Sequence, residues 1–512
     1  MTRPELFIND FRLTGRAPIV KDILFILDKN SELTLQAQLR EQVTSAIMRG
    51  HLGPGDPLPS SRRLAQRLSI GRGTVMLAYQ AMAEDGILDS SERKKFIVAN
   101  DLAASNFRLP STQIREDTDN TSSQVEWQQR FKRDISGQRY QKKLANWQSL
   151  PYPFIYGQVD PNLFPVNAWR ACSREALARL SIQEWGPDNV NKDDPFLIDQ
   201  IRTKVLLRRG VWVERDEILV TLGAQNALWL LAALLVNDDT TVGLEDPGYA
   251  DARNAFQTRT SKIKPLAVDE GGLIVDEQLD DCDYVYVTPS HHAPTTSTLS
   301  LERRKALLEK AEQQDFIVIE DDYEGEMNYV GEPTPALKSI DQSGRVVYVG
   351  SFSKVLTPGL RLGYLVGSKD LILAARDMRR LILRHPPANN QRCAALFLAN
   401  GHYDAFVNKL HKVYHQRWHL LAEALDRYLP NYYRAPSFGG TSFWLSGPKE
   451  LDSVLLAEKA LEKGIFLEPG DVHFMQEPTP RNHFRLGFSS IADEKIEPGV
   501  KILADLINEQ VK

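Results

Sequence analysis

The stretch SFSKVLTPGLRLGY, Ser351 to Tyr364, sets a lysine, Lys354, just behind Ser351 and Ser353 and ahead of Arg361. A lysine amine held where water is scarce attacks an aldehyde and becomes joined to it as an imine. Hydroxyls and a guanidinium close by are donors suited to a dianionic phosphate. Two other stretches complete that chemistry. FIVIEDDY ends an apolar, strand-like run with Asp321 and Tyr323. A carboxylate there keeps a pyridine nitrogen protonated and makes the ring an electron sink. Residues two apart on a strand share a face, so the Tyr323 phenol can approach the ring oxygen beside the imine. LVTLGAQNALWLL places Gly223, Ala224 and Gln225 at a strand-to-helix turn, where free N–H groups and the helix dipole favour phosphate. Singly these signals are weak: EDDY is commonly a solvated strand end and GAQN an ordinary helix start. In this order, each at a strand end, they fit pyridoxal 5'-phosphate carried on Lys354.

A different chemistry lies nearer the N-terminus. Leu35, Leu39, Val43 and Ile47 recur every fourth residue and predict a helix that stops at Gly50. The connector HLGPGDPLP supplies turn residues, and Ser60 or Ser61 caps a second helix, SRRLAQRL. After the turn SIG, RGTVMLAYQAMAEDG predicts a third helix with Val75, Tyr79 and Met82 inward and Gly86 at its end. Arg62, Arg63, Arg67 and Arg72 fall on the outer faces. Two short helices joined by a tight turn make a helix-turn-helix whose second member can enter a major groove. Ile87–Leu88 and Phe96–Val98 predict two strands around the basic tip ERKK, a wing. On pattern alone an ordinary solvated helical bundle fits equally well. Arginines in a groove either pair with a guanine edge, which specifies sequence, or hold phosphates, which only positions the protein.

The elements that position these groups follow from composition and texture. A chain of 512 residues is too long for one compact domain. With 42% hydrophobic and 25% charged residues it has the make-up of a soluble globular protein, and its net charge of -5 confines any nucleic-acid binding to a local patch. Cys172, Cys282 and Cys393 are widely spaced without a CxxC pair, so neither a disulfide framework nor a metal site is expected, and a reducing cytoplasm suits them as buried apolar residues. MTRPELFINDFRL lacks the apolar run of a signal peptide, and ALWLLAALLV is too short to span a bilayer. The expectation is a cytoplasmic protein without a membrane partner. Texture divides the chain into an N-terminal extension (1–30), the helix-turn-helix region (31–100), a linker (101–149) centred on TQIREDTDNTSSQ, and a large domain (150–512). Within the linker Trp127, Phe131 and Ile135 lie at i, i+4 and i+8, which predicts a helix docked on a domain. In the large domain EILVTL, DYVYVTP, FIVIEDD and RVVYVG alternate with longer amphipathic stretches, the pattern of an α/β domain around a largely parallel sheet.

LGPGDPLPSSRRLAQRL and RGTVMLAYQAMAEDGIL, within Glu32 to Val98, resemble the winged helix of GntR-type bacterial regulators. The resemblance implies DNA contacts from Ser61, Arg62, Arg72 and Thr74, with Lys94 and Lys95 at the wing. It departs from that family in lacking a glycine pair before the last wing strand. From Tyr152 onward the chain resembles fold-type I aminotransferases, which implies Lys354 as the imine lysine, Asp321 as the pyridinium partner, Tyr323 at the ring oxygen and Arg361 on the phosphate. It adds Tyr249 in LEDPGYADAR near the ring face, and Arg485 in FRLGF as an anchor for a substrate or effector carboxylate. The plainer alternatives are core packing for Tyr249 and a surface strand arginine for Arg485. Where those enzymes commonly read Asn-Pro-Thr-Gly, this chain reads HHAPTT, with Ala293 in place of the ring-oxygen donor; His291 and His292 either take over that role or are solvated.

The two halves in this order resemble the MocR family of regulators. That implies a homodimer on a double-stranded DNA operator, and an amine or amino-acid effector sensed by aldimine exchange at Lys354. YPFIYGQVDPNLFP, DDPFLIDQIR, RHPPANNQR and GHYD resemble the branch controlling uptake and catabolism of ectoines or taurine. Two alternatives stand beside it: a catalytically active pyridoxal-phosphate-dependent aminotransferase with a DNA-tethering domain, and a DNA scaffold whose enzyme-like domain is inert.

Overall fold

A computed structural model describes residues 25–28, 31, 33–49, 51–91, 95–100, 127–132, 135–330, 334–434 and 439–511. They fall into two compact units, Met1–Lys132 and Arg133–Lys512. In the first, α1 (Leu35–Met48), α2 (Ser61–Leu68) and α3 (Arg72–Glu84) precede an antiparallel hairpin of β1 (Leu88–Ser91) and β2 (Lys95–Val98), with Leu88 opposite Val98. Ser60 is the cap of α2, accepting from the Arg63 N–H at 3.3 Å, which leaves Ser61 on the first turn. Ser69, left-handed at φ 54°, turns the chain into α3. Leu39, Val43, Leu64, Val75, Tyr79 and Met82 are all buried, each contributing about 1.5–3 kcal/mol by leaving water. Tyr79 fastens α3 to its surroundings: its hydroxyl donates to the Pro59 carbonyl at 3.1 Å, and its ring lies 5.2 Å from that of Phe96. The expected end of α1 at Gly50 and the wing residue Lys94 lie outside the described residues.

The docked linker helix is corrected. Among the described residues of this stretch the helix covers Trp127–Arg130, and Trp127, Phe131 and Ile135 are exposed at 60%, 59% and 64%. One turn fixes several backbone torsions for a single hydrogen bond, so apolar spacing without a packing partner does not sustain a helix.

The second unit is built on an eight-stranded sheet. Its strands are β3 (Ile218–Thr221), β4 (Val242–Asp246), β5 (Ile263–Asp269), β6 (Gly272–Leu273), β7 (Tyr284–Val287), β8 (Ile317–Asp322), β9 (Val346–Ser351) and β10 (Gly363–Val366), in the order β3-β10-β9-β8-β7-β4-β5-β6. The five strands β5, β4, β7, β8 and β9 pair in parallel, and β10 runs antiparallel to both β9 and β3. The predicted runs EILVTL, DYVYVTP, FIVIEDD and RVVYVG are four of these strands. Their near-continuous apolar character follows from burial on both faces. A smaller antiparallel sheet, β11 (Tyr433–Arg434), β12 (Ser442–Ser446), β13 (Glu468–Pro469) and β14 (His483–Gly487), has the order β11-β12-β14-β13.

Register decides where chemistry can gather. Thr221 pairs with Gly363 and Gly363 with Ser351, while Asp322 lies beside Gly350, so the carboxyl ends of β3, β8 and β9 open along one edge. Gly363 permits that convergence, since a Cβ there would stand 2.8 Å from the Gly223 Cα. Ala227–Val236 folds into the helix α4 (Ala224–Leu235) and the residue after it, buried against the sheet. Among the described residues no helix is long and apolar enough to cross a membrane. Cys172, Cys282 and Cys393 are free and buried.

Candidate functional site

A cavity of about 190 Å³ opens at the carboxyl edge of the sheet. Lys354 enters it from the turn after β9, its ammonium 3.7 Å from the Tyr156 ring centroid and 5.7 Å from that of Tyr323. Burial, and then the positive charge of Lys143, pulls the Lys354 pKa down to about 7. Asp321, the penultimate residue of β8, lines the same cavity. Its Oδ2 accepts from the Tyr286 hydroxyl at 2.9 Å, while Oδ1 is buried with no hydrogen-bond partner. Burial raises the Asp321 carboxyl to about 7, against the Tyr286 hydrogen bond and the charge of Lys354. Tyr323, just past β8, also lines the cavity; burial holds its phenol well above the ordinary range, so it stays protonated. Tyr249 joins them, its hydroxyl 3.4 Å from both Gln225 Oε1 and Asp251 Oδ2.

The other end of the cavity is a cluster of donors. Ala224 and Gln225 line it at the N-terminus of α4, behind the cap Gly223 at φ 78°. Arg361 takes a left-handed φ of 49° and donates from Nη2 to the Leu222 carbonyl at 2.9 Å, which locks its guanidinium beside Gly223. Ser351 and Ser353 line the same end, tied by the Ser353 N–H to Ser351 Oγ at 3.2 Å. Backbone donors, hydroxyls and a guanidinium gathered this way are the donor types that suit an anion.

Arg485 is not a surface strand residue, and that plainer reading is corrected. It is 5% exposed and lines the cavity, because β14 lies inside the small sheet between β12 and β13. It faces Glu468 on β13, whose Oε2 accepts from its Nε at 3.0 Å and its Nη2 at 2.6 Å. Its guanidinium lies 3.7 Å from the Tyr156 ring centroid, the ring that Lys354 also meets. Ala293 lines the cavity, but His291 and His292 do not, and neither is solvated. His292 is buried with Nδ1 2.7 Å from Thr295 Oγ1 and Nε2 3.5 Å from Glu245. His291 is buried beside Gly440, and burial lowers both imidazoles below their usual range. Both expectations for this pair are therefore corrected: the tight HHAPTT loop folds their rings into the interior.

Four lining or supporting residues escape the sequence reading: Tyr156, Lys143, Tyr286 and Glu468. The only local signal is Gly157 at φ +72°, where a Cβ would stand 2.4 Å from Lys354 Nζ.

In the first unit Arg62 and Arg72 are exposed and Thr74 half-buried, all at the start of α2 or α3. Arg72 Nε lies 3.5 Å from Ser61 Oγ, so the first turns of both helices meet at one surface. Lys95 is exposed at the start of β2.

A helix-turn-helix with a hairpin, and a parallel sheet with a lysine, a carboxylate and an anion cradle at its carboxyl edge, define a regulator-type reader and an aminotransferase-type domain. Residues 35–98 match bacterial regulatory proteins of the gntR family, and residues 192–503 match aminotransferase class I and II, a pyridoxal-phosphate-dependent family. The chain is 39% identical to the HTH-type transcriptional regulator TauR of Rhodobacter capsulatus over 94% of this chain and 98% of that protein. It is 27% identical to the probable rhizopine catabolism regulatory protein MocR of Rhizobium meliloti, over 94% and 95%. The structure of LysN, an alpha-aminoadipate aminotransferase from Thermus thermophilus complexed with N-(5'-phosphopyridoxyl)-L-leucine, superposes with a TM-score of 0.67 at 26% identity, over 76% of this chain and 99% of that one. The chain belongs to the MocR-type regulators of the GntR family.

The cavity fits that family's cofactor on its own terms. The unpartnered buried Asp321 Oδ1 suits a protonated ring nitrogen, and the donor cluster at the far end suits a phosphate.

Proposed function

We propose that this protein binds an operator through its winged helix and senses a small primary amine or amino acid at Lys354, with pyridoxal 5'-phosphate as the sensing group. The observation that carries the reading is that one cavity is lined by both Lys354 and Asp321, whose Oδ1 is unpartnered. Bound there, the cofactor supplies an aldehyde carbon that a primary amine can take over from a lysine. Asp321 would hold the ring nitrogen, Tyr249 and Tyr323 the ring, and Arg361, Ser351, Ser353 and the turn Gly223–Gln225 the phosphate. The Tyr156 ring lies against the Lys354 amine. Arg485 would attract the acid group of an effector. Ser61, Arg62, Arg72 and Thr74, with Lys94 and Lys95 at the wing, would contact DNA. A homodimer would present two such readers to a repeated site. Small nitrogenous compounds such as taurine or ectoine derivatives are the effectors to try first. An effector that binds two arrangements of the protein with different affinity shifts their populations, and DNA affinity with them.

The test joins two measurements during titration with a panel of amines: the absorbance of the lysine-bound cofactor and the affinity for operator DNA. Both are expected to change at the same amine concentration, with negligible turnover of amino donor and keto acceptor. Sustained turnover with unresponsive DNA binding would replace this reading by the aminotransferase one, which the presence of Arg485 beside Lys354 favours.

A second expectation concerns pH. An ordinary lysine with a pKa of about 10.4 is neutral in roughly one molecule in a few thousand at pH 7. Lys354, at about 7, is half neutral there. Its capture of pyridoxal phosphate by cofactor-free protein should therefore quicken from pH 6 to 8 and then level off. Stopped-flow absorbance that keeps climbing tenfold per pH unit beyond pH 9 would contradict the depressed pKa.

A further inference from the structure

Lys143 reaches the cavity from the segment that leads out of the first unit. The residue is exposed, yet it joins Lys354, Tyr156 and Arg485 in the lining. The Nζ atoms of Lys143 and Lys354 lie 3.5 Å and 2.4 Å from the one point where a Gly157 Cβ would stand. Gly157, at φ +72°, leaves the space in which the two meet. The segment is tethered a turn earlier: Arg139 donates to the Phe474 carbonyl at 2.6 Å and to Thr479 Oγ1 at 2.9 Å, and Asn254 donates to the Arg139 carbonyl at 3.0 Å.

The charges around this point do not balance. Arg485 spends two of its donors on Glu468, a buried pair that largely neutralises itself. Glu468 and Asp251 act on Lys143 from a distance, yet among the described residues its ammonium forms no ion pair. An ammonium set beside a second ammonium and lacking an ion pair draws an anion, and a charge-assisted hydrogen bond to a carboxylate or sulfonate satisfies it.

We propose that Lys143 is a specificity residue of the cavity, whose ammonium binds the carboxylate or sulfonate of an amine effector alongside the Glu468-held Arg485. This deepens the function proposed above and rests on it. It also gives that function a route: the acid group of the bound effector fastens the chain segment that leads from the DNA-reading unit, so effector binding and the hold on that segment are one event.

The test uses the full-length, cofactor-loaded protein titrated with β-alanine, taurine and propylamine, the last a plain amine of similar length. The readouts are the absorbance change and hydrogen exchange over residues 139–145. In the parent, both acid-bearing amines are expected to bind at least about tenfold more tightly than propylamine and to slow exchange in the segment. Lys143→Gln should bring that preference, read as the ratio of each acid-bearing amine to propylamine in the same protein, to within about twofold, and Lys143→Arg should restore most of it. No acid preference in the parent, or equal losses for all three amines in Lys143→Gln, overturns the assignment while the amine-sensing function stands. A parent with no lysine-bound cofactor absorbance, or none that any amine alters, overturns the function itself.

Discussion

Lys354→Ala is expected to abolish both the covalent cofactor and every response of operator binding to amines. Borohydride should trap an adduct on the parent, found by peptide mapping on Lys354, and none on the variant. The cavity is lined by two lysines whose settings differ. Lys354 lies 3.7 Å from the Tyr156 ring centroid and 5.7 Å from that of Tyr323, in the cavity that Asp321 lines with its unpartnered Oδ1. Burial brings its amine to about 7, so the nucleophile is available at neutral pH. Lys143 is an exposed residue outside the sheet, on a segment tethered through Arg139 to Phe474 and Thr479. Basal DNA binding should survive in Lys354→Ala within about twofold, because the winged helix has its own buried core around Leu64, Val75 and Tyr79. An adduct on Lys143 in the parent, or an undiminished amine response in the variant, would overturn the assignment.

The parts of the site that were legible in sequence share a property: each is written in consecutive residues. FIVIEDDY is a strand and the two side chains at its end, and LGAQNALW is a strand end, a left-handed glycine and a helix start. SFSK places its lysine by the turn that must follow a buried strand. Local backbone rules suffice for these, and register then aligns the strand ends. Tyr156, Lys143, Tyr286 and Glu468 carry no such mark. Tyr286 reads as one more aromatic in YVYV, and only the neighbouring strand shows that its hydroxyl meets Asp321. Glu468 becomes the partner of Arg485 through antiparallel register between strands that the sequence leaves too short to recognise. The HHAPTT histidines look polar and solvated in a string, yet the loop buries both, with His292 against Glu245 and Thr295. In the linker the error ran the other way: Trp127, Phe131 and Ile135 keep helical spacing but have no core to meet.

Arg209→Met should cost the second unit about 3–5 kcal/mol at pH 7, the usual price of removing one partner from a buried ion pair. Arg209 Nε donates to Asp322 Oδ2 at 2.7 Å, its Nη2 to Ser290 Oγ at 2.9 Å, and its Nη1 to the Thr334 carbonyl at 3.0 Å. Tyr348 adds a hydroxyl to the same carboxylate at 2.8 Å. Through these bonds one side chain holds the end of β8, where Asp321 sits, to the loop that carries Ala293. Burial alone would raise the Asp322 carboxyl, but Arg209, Ser290 and Tyr348 outweigh it and hold it below the ordinary carboxylate range. Glu320, two residues back on the same face, is pushed the other way to about 7 by burial and by Asp322. A depressed carboxylate stabilises the fold above its unfolded pKa, and that contribution is lost as pH falls through the folded value. Without Arg209 the burial term is unopposed, so Asp322 takes up a proton at higher pH than before. The deficit of the variant should therefore be largest at neutral pH and shrink toward pH 4. Arg209→Met with Asp322→Asn, which removes both charges and keeps an acceptor for Tyr348, should recover more than half of the loss. Urea unfolding of the full chain, followed by the transition of the large unit at pH 7 and at pH 4, measures all three proteins. A single variant within about 1 kcal/mol of the parent, the range of exposed pairs, would mean that the strand end is held by packing and not by this ion pair.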